Sequence, residues 1–187
     1  MAQAATKPWT VDDFLAWERQ QEERYEWHDG MVRAMVGGTL DHNRIVNNLV
    51  AALRPKLRGT PCAVFSENVK VKVGLAITYS DLVITCSPQD AKADMLNEPI
   101  VIIEVLSPST ELFDRGRKWS LYQTLASLRQ YVLVSQDTAH VECYTRRDGT
   151  WQYAALDGLA SELSLDAIRA AIPLAWIFEE TSAANSA

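Results

Sequence analysis

The sequence is poor in cysteine: Cys62, Cys86 and Cys143 are the only three in 187 residues, and they lie far apart. An odd number with no C-x-x-C pair argues against a disulfide framework and against a structural zinc site, and buried thiols are the expectation. A chain of this length buries about 70% of its extended surface and needs no such staple. No apolar run approaches the roughly 20 residues that span a bilayer. The first eight residues hold no apolar signal core, so the expected home is the reducing cytoplasm, with no membrane partner. Histidine is scarce, at three residues. Without a G-x-S-x-G element as well, Ser107 and Ser109 make poor candidates for a hydrolase nucleophile. Positive charge is also short. A formal net charge of −6 excludes a nucleic-acid binder that is basic over its whole surface, but not a local basic patch. No repeat, low-complexity tract or linker divides the chain. The reading is one domain over residues 10–178, with flexible tails over 1–9 and 179–187.

What is present alternates between helical and strand-like patterns. Thr10 with Asp12 and Asp13 marks a helix start, a hydroxyl cap followed by acids at the positive end of the dipole. Asp29-Gly30 between Tyr25-Glu26-Trp27-His28 and Met31–Met35 predicts a hairpin, as does Asp148-Gly149 between 141–144 and 151–154. Ile45, Val46, Leu49, Val50, Leu53 and Leu57 recur at helical spacing, with Pro55 expected to kink or end that helix. Val69, Val71 and Val73 alternate with Asn68, Lys70 and Lys72, the pattern of a half-buried strand. Leu82-Val83-Ile84, Ile100–Leu106 and Tyr131–Val134 read as central strands covered on both faces. A turn at Ser107–Thr110 leads into a helix reaching about Leu125, and Leu163–Ile177 reads as a closing helical cap with Pro173 at a helix start. The sum is an α/β (α+β) fold: a mixed central sheet flanked by helices, with an N-terminal helix and hairpin and a C-terminal hairpin extension.

Glu104 is out of place in that pattern. Strand parity puts it on a face shared with Ile100, Ile102 and Leu106, where an ionised carboxylate is several kcal/mol uphill unless a cation or donors meet it. Asp81 opens the neighbouring buried run. If the two strands are adjacent, the carboxylates face each other and must share a proton or a metal. Oxygen ligands without His or Cys suit a hard ion such as Mg²⁺. Lys118, in the helix after the Glu104 strand, either forms an i,i+4 surface pair with Asp114 or reaches across the cleft.

These residues carry a resemblance. Glu104-Val105-Leu106-Ser107-Pro108-Ser109-Thr110, Asp114-Arg115-Gly116-Arg117-Lys118 and Tyr122 resemble the Uma-type family of restriction-endonuclease-like proteins, within the PD-(D/E)XK nuclease superfamily. So do Tyr25–Gly30, His42-Asn43, Tyr79-Ser80-Asp81 and Ser127–Val134, and the likeness runs from about Thr10 to about Phe178. It implies a restriction-endonuclease-like core in which Asp81 and Glu104 hold Mg²⁺ or Mn²⁺ and a lysine assists hydrolysis of DNA phosphodiester bonds. Ser80 stands where the superfamily has Pro. Leu106 stands where it has the lysine, and the Uma-type pattern offers Lys118 instead. Glu26 and His42 match the family pattern as additional site residues.

Lys70, Lys72, Arg115 and Arg117 are the candidate nucleic-acid contacts. A homodimer is expected, because cutting both strands of a duplex is simplest with two copies about a two-fold axis. Tryptophans and the terminal hairpin could supply its contact area. No organic cofactor is expected. The alternative is a nuclease-fold module, weak or inactive in catalysis, that binds nucleic acid or protein.

Overall fold

The computed structural model describes residues 9–35, 37–66 and 69–185. Helix α1 (Val11–Glu18) opens with the expected Thr10 cap, completed by Asp13 into a reciprocal capping box. Strands β1 (Tyr25–His28) and β2 (Met31–Ala34) form the hairpin about Asp29-Gly30, both residues at positive φ as a two-residue turn of this hand requires. Helix α2 (Leu40–Leu57) buries Ile45, Val46, Leu49, Leu53 and Leu57. Pro55 does not end it before Leu57, because it lies in the last turn, where little helix remains to disrupt.

Strands β3 (Ala63–Ser66), β4 (Lys70–Val73), β5 (Ala76–Tyr79), β6 (Leu82–Thr85), β7 (Met95–Leu96) and β8 (Val101–Leu106) follow. Three short helical pieces run on from there without a break: α3 (Glu111–Phe113), a π-helical turn (Asp114–Lys118) and α4 (Trp119–Tyr122). Then come β9 (Gln130–Ser135), β10 (His140–Arg147), β11 (Thr150–Asp157), β12 (Glu162–Leu165), β13 (Ala170–Pro173) and α5 (Leu174–Ile177). The main sheet is mixed, ordered β11-β10-β9-β8-β6-β3, with β8 and β9 parallel and its other pairs antiparallel. A second sheet, β2-β1-β5-β4-β7, carries the N-terminal hairpin. The main sheet is covered on both faces. Leu82, Ile84, Val101, Ile103 and Val105 pack with α2 and the C-terminal segment, whereas Val83, Ile102, Leu106 and Leu133 pack with Tyr122 and Leu128. This is the mixed α+β fold expected.

Four expectations are corrected. Leu163–Ile177 is mostly a two-stranded ribbon, not a helical cap. Leu163 and Leu165 are buried while Glu162 and Ser164 are exposed, a period of two that outranks the helical spacing, and Pro173 is the residue before α5. Residues 179–185 are docked rather than a free tail: Thr181 and Ala183 are buried, Ser182 Oγ donates to Asp41 Oδ2 (2.5 Å), and Arg44 Nη1 donates to the Glu180 carbonyl (2.7 Å). The proposed N-terminal tail lies outside the described residues except for Trp9, which packs on Trp17, and residues 186 and 187 also lie outside them. Cys62 and Cys86 form a disulfide. Their strands pair with Ala63 opposite Thr85, which brings the next residues out on each strand together across the ladder. Finally, the β4 stripe is not half solvated: Lys70 is buried, and Asn68 lies outside the described residues.

Candidate active site

One register sets the cleft. β6 and β8 run antiparallel with Leu82 opposite Ile103, so Asp81, just before β6, comes beside Glu104. There the backbone ladder stops and side chains continue it. The Asp81 amide donates to Glu104 Oε2 (3.3 Å), and the Val105 amide donates to Asp81 Oδ2 (2.6 Å). Each acid thereby fixes the other strand's end. Glu104 is 2% exposed, while Asp81 is half-buried and lines the opening.

Lys118 is no surface residue. Its Nζ donates to the Tyr79 carbonyl (2.8 Å) and to Glu104 Oε1 (3.1 Å), and it lies 3.3 Å from both Glu26 Oε1 and Asp114 Oδ1. The i,i+4 pair with Asp114 and the reach across the cleft therefore occur together. The π turn carries both residues, a helix defect that recurs at functional sites. Its Asp114 carbonyl accepts from the Trp119 amide and from the Tyr131 hydroxyl (3.0 Å). Tyr122, one turn on, brings its one hydroxyl within hydrogen-bond distance of Glu104 Oε1 (3.2 Å), Thr78 Oγ1 (3.0 Å) and Ser80 Oγ (2.8 Å). Glu26 Oε1 accepts the Tyr79 amide (2.9 Å). His42, in the first turn of α2, places Nε2 3.3 Å from Asp81 Oδ2. Its ring passes so near Gly38 that a Cβ there would stand 2.8 Å from Nδ1.

The electrostatics are lopsided. Glu26, Glu104 and Asp114 converge on Lys118, and Asp81 lines the same cleft. Burial pushes the Glu104 carboxyl well above the usual carboxylate range; Lys118 opposes this, and Asp114, Asp81 and Glu26 add to it. Asp114 is raised for the same reason, burial first. Burial alone would pull Lys118 down, but Glu104 and Glu26 outweigh it and hold the ammonium charged. Three acids on one buried ammonium leave negative charge that a proton or a second cation has to offset.

Metal binding fits this donor chemistry in one form. Among the described residues no group of three or more His, Cys, Asp or Glu is arranged to hold a metal. Mg²⁺ commonly uses one or two carboxylates and fills its other positions with water and phosphate oxygens. The cleft, with a volume of about 80 Å³, has room for water beside the carboxylates. Asp81 and Glu104 therefore suit a hydrated Mg²⁺ or Mn²⁺ and do not form an all-protein cage.

The structure thus brings Asp81, Glu104, Lys118, Glu26 and His42 together, but not the cations proposed for nucleic acid. Lys70 is spent on Asp94 (3.0 Å) and Glu18 (3.4 Å), and Arg115 on Glu111 (2.7 Å) and Glu142 (2.5 Å). Arg117 pairs with Asp29. Lys72 is half-buried on β4 and does not line the cleft. An acidic chain neutralises its own cations, and residue type alone cannot show which are taken. Sequence reasoning missed Asp114 as a third buried acid on Lys118, whose spacing reads equally well as a surface pair. It also missed Arg33, which lines the same cleft and sits in a hairpin with nothing local to single it out.

Comparison with known proteins shows the family and the fold. Residues 11–176 match the family Uma2, described as "Putative restriction endonuclease". Two Synechocystis proteins are similar: the uncharacterized protein slr1290, 35% identical over 79% of this chain and 82% of its own, and sll1609, 28% identical over 87% and 96%. The crystal structure of a "putative nuclease belonging to DUF820" from Anabaena variabilis superposes with a TM-score of 0.76 at 17% identity. It covers 91% of this chain and 98% of the other, and so shares the fold.

Proposed function

The chain belongs to the Uma2 family, and on that premise we propose that it is a Mg²⁺- or Mn²⁺-dependent endonuclease that hydrolyses DNA phosphodiester bonds at the Asp81–Glu104 cleft. The observation that carries this reading is the pairing of those two carboxylates across the β6–β8 ladder break, with Lys118 fixed beside them. A bound ion would supply an activated water and offset the phosphate's charge. The chain's own part is to hold the donors still. Lys118 and Tyr122 occupy Glu104 Oε1, leaving Oε2 with one long contact toward Asp81. The Val105 amide holds Asp81 Oδ2, and His42 approaches the same oxygen from α2. The Lys118 ammonium, charged and aimed at the cleft floor, stabilises negative charge developing on phosphate, the work that Leu106 cannot do. Glu26 steadies Lys118 and the Tyr79 backbone.

The proposal includes a homodimer. β11 is an edge strand of eight residues, uncharged from Thr150 to Leu156, with Tyr153 56% exposed. An uncovered, uncharged edge of that length is a template for pairing with a second copy about a two-fold axis. Among the described residues no helix is long and apolar enough to cross a membrane.

Incubation of supercoiled plasmid with the protein tests the activity. Nicked or linear product should appear with Mg²⁺ or Mn²⁺, and be lost in chelator and in Asp81→Asn. Intact plasmid under every metal condition would overturn the nuclease reading in favour of a binding module.

A further inference from the structure

The cleft has one cation that its acids do not neutralise. Arg33, on β2, lines the opening that also holds Asp81, Glu104 and Lys118, and among the described residues it forms no ion pair within 4.0 Å. This sets it apart from Arg115, Arg117 and Lys70, each of which faces a carboxylate, and from Lys118, which faces three. Arg33 is nevertheless not loose. Its Nη2 donates to the Ser109 carbonyl (2.9 Å), in the loop that leaves β8, and its guanidinium lies 4.4 Å over the Phe113 ring. Phe113 is itself packed on the buried His28 ring (4.8 Å). A guanidinium has five N–H donors in a planar fork, and Ser109 accounts for one of them. A preorganised, half-exposed fork at the mouth of an acidic cleft is suited to an anion with several oxygens arranged around one atom.

We propose that Arg33 forms a phosphate subsite at the mouth of the cleft, which holds non-bridging oxygens of the nucleic-acid backbone and positions it over Asp81 and Glu104. The subsite rests on the nuclease reading for its substrate, and on the Arg33–Ser109–Phe113 geometry for its existence. Arg33 is a binding and positioning residue there. The hairpin turn at Asp29-Gly30 and the Ser109 loop set where the phosphate stands relative to the carboxylates.

Two probes test it: a fluorescein-labelled DNA duplex read by anisotropy in Ca²⁺ over a salt series, and inorganic pyrophosphate read by calorimetry. The proteins compared are the wild type, Arg33→Met and Arg33→Lys. For the duplex, Arg33→Met should weaken binding at least about tenfold and reduce the slope of log K against log salt by about one, the share of a single phosphate contact. Pyrophosphate affinity should fall with it, while the melting temperature holds. Arg33→Lys should restore the salt slope but only part of the affinity, having lost the fork and the stacking on Phe113. In cleavage, KM should rise more than kcat falls. Unchanged binding and salt slope in Arg33→Met would overturn the subsite, as would a wild type that binds neither probe. Pyrophosphate binding that depends on Arg33, with no binding or cleavage of DNA, would keep the subsite and overturn the nuclease reading instead.

Discussion

Lys118→Met is the sharpest perturbation of this site, because the structure makes its consequence large and pH-dependent. The ammonium lies within 3.3 Å of Glu26, Glu104 and Asp114. Removing one partner of a buried ion pair costs about 3–5 kcal/mol, since the remaining charge is left unopposed. For a domain of this size each kcal/mol lowers the melting temperature by about 2–4 °C, so a fall of about 6–20 °C is expected at pH 8 in chelator. The sign with pH follows from proton binding. Lys118 itself is raised above its ordinary value, so its contribution is fully present below about pH 10.4 and stays intact across the neutral range. In the variant the carboxylates lose their cation and bind protons more readily. The deficit should therefore shrink as the pH falls from 8 toward 5. Thermal unfolding followed by circular dichroism would measure this, with Lys118→Met/Glu104→Gln as the companion that removes an orphaned anion and recovers a good part of the loss. Turnover of folded Lys118→Met should drop at least about 100-fold, the scale of losing one aimed donor, and Lys118→Arg should restore little of it. A deficit below about 0.5 kcal/mol, equal at pH 5 and pH 8, would reduce Lys118 to an ordinary i,i+4 pair and refute the reasoning.

Glu104→Gln should flatten the stability–pH curve. The folded carboxyl is raised, so wild-type stability falls as pH rises from about 4.3, by up to about 1.4 kcal/mol per unit, and parallel curves for the two proteins would contradict this. Reduction of Cys62–Cys86, which closes a separation of 24 residues, should cost about 3 kcal/mol and about 6–12 °C. No shift on adding dithiothreitol would mean that the native thiols are already free. Light scattering should give twice the 20.9 kDa chain mass at micromolar concentration, and charged residues on the open edge, in Tyr153→Lys/Ala155→Lys, should return it to the monomer. A wild type of single-chain mass would remove β11 as a dimer seam.

What the sequence made legible was local or carried by continuous apolar runs. The hairpins at Asp29-Gly30 and Asp148-Gly149 follow from residues that tolerate positive φ, and α1 follows from its Thr10–Asp13 box. The β6 and β8 runs announced themselves as central strands, and the acids interrupting them marked the cleft. What was not legible depends on partners distant in the chain. Leu163–Ile177 carries apolar residues at spacings compatible with both periods, and only pairing of β12 with β13 decides between them. The Cys62–Cys86 bond depends on the β3–β6 register, which the spacing of cysteines does not encode. The pairing of the cations is non-local in part: Arg115 meets Glu142 and Lys70 meets Asp94, each more than twenty residues away.

Leu106 and Lys118 show how such non-local placement preserves a charge that a motif has lost. In the superfamily pattern that the sequence resembles, the lysine follows the strand acid by two residues and shares its strand. Here that position is Leu106, buried in the apolar cluster with Val83, Ile102 and Leu133. The positive charge comes from the helix instead, where the π turn carries Lys118 within 3.1 Å of Glu104. Balancing Glu104 alone would need no more than that one lysine. Glu26 and Asp114 also approach the same ammonium, and Asp81 stands beside Glu104 with His42 opposite. An excess of buried carboxylate weakens a fold unless something positive offsets it. On the proposed reading, a divalent ion at Asp81 and Glu104 is that offset, and the stability given up in its absence is the physical reason metal binding should both raise the melting temperature and complete the site.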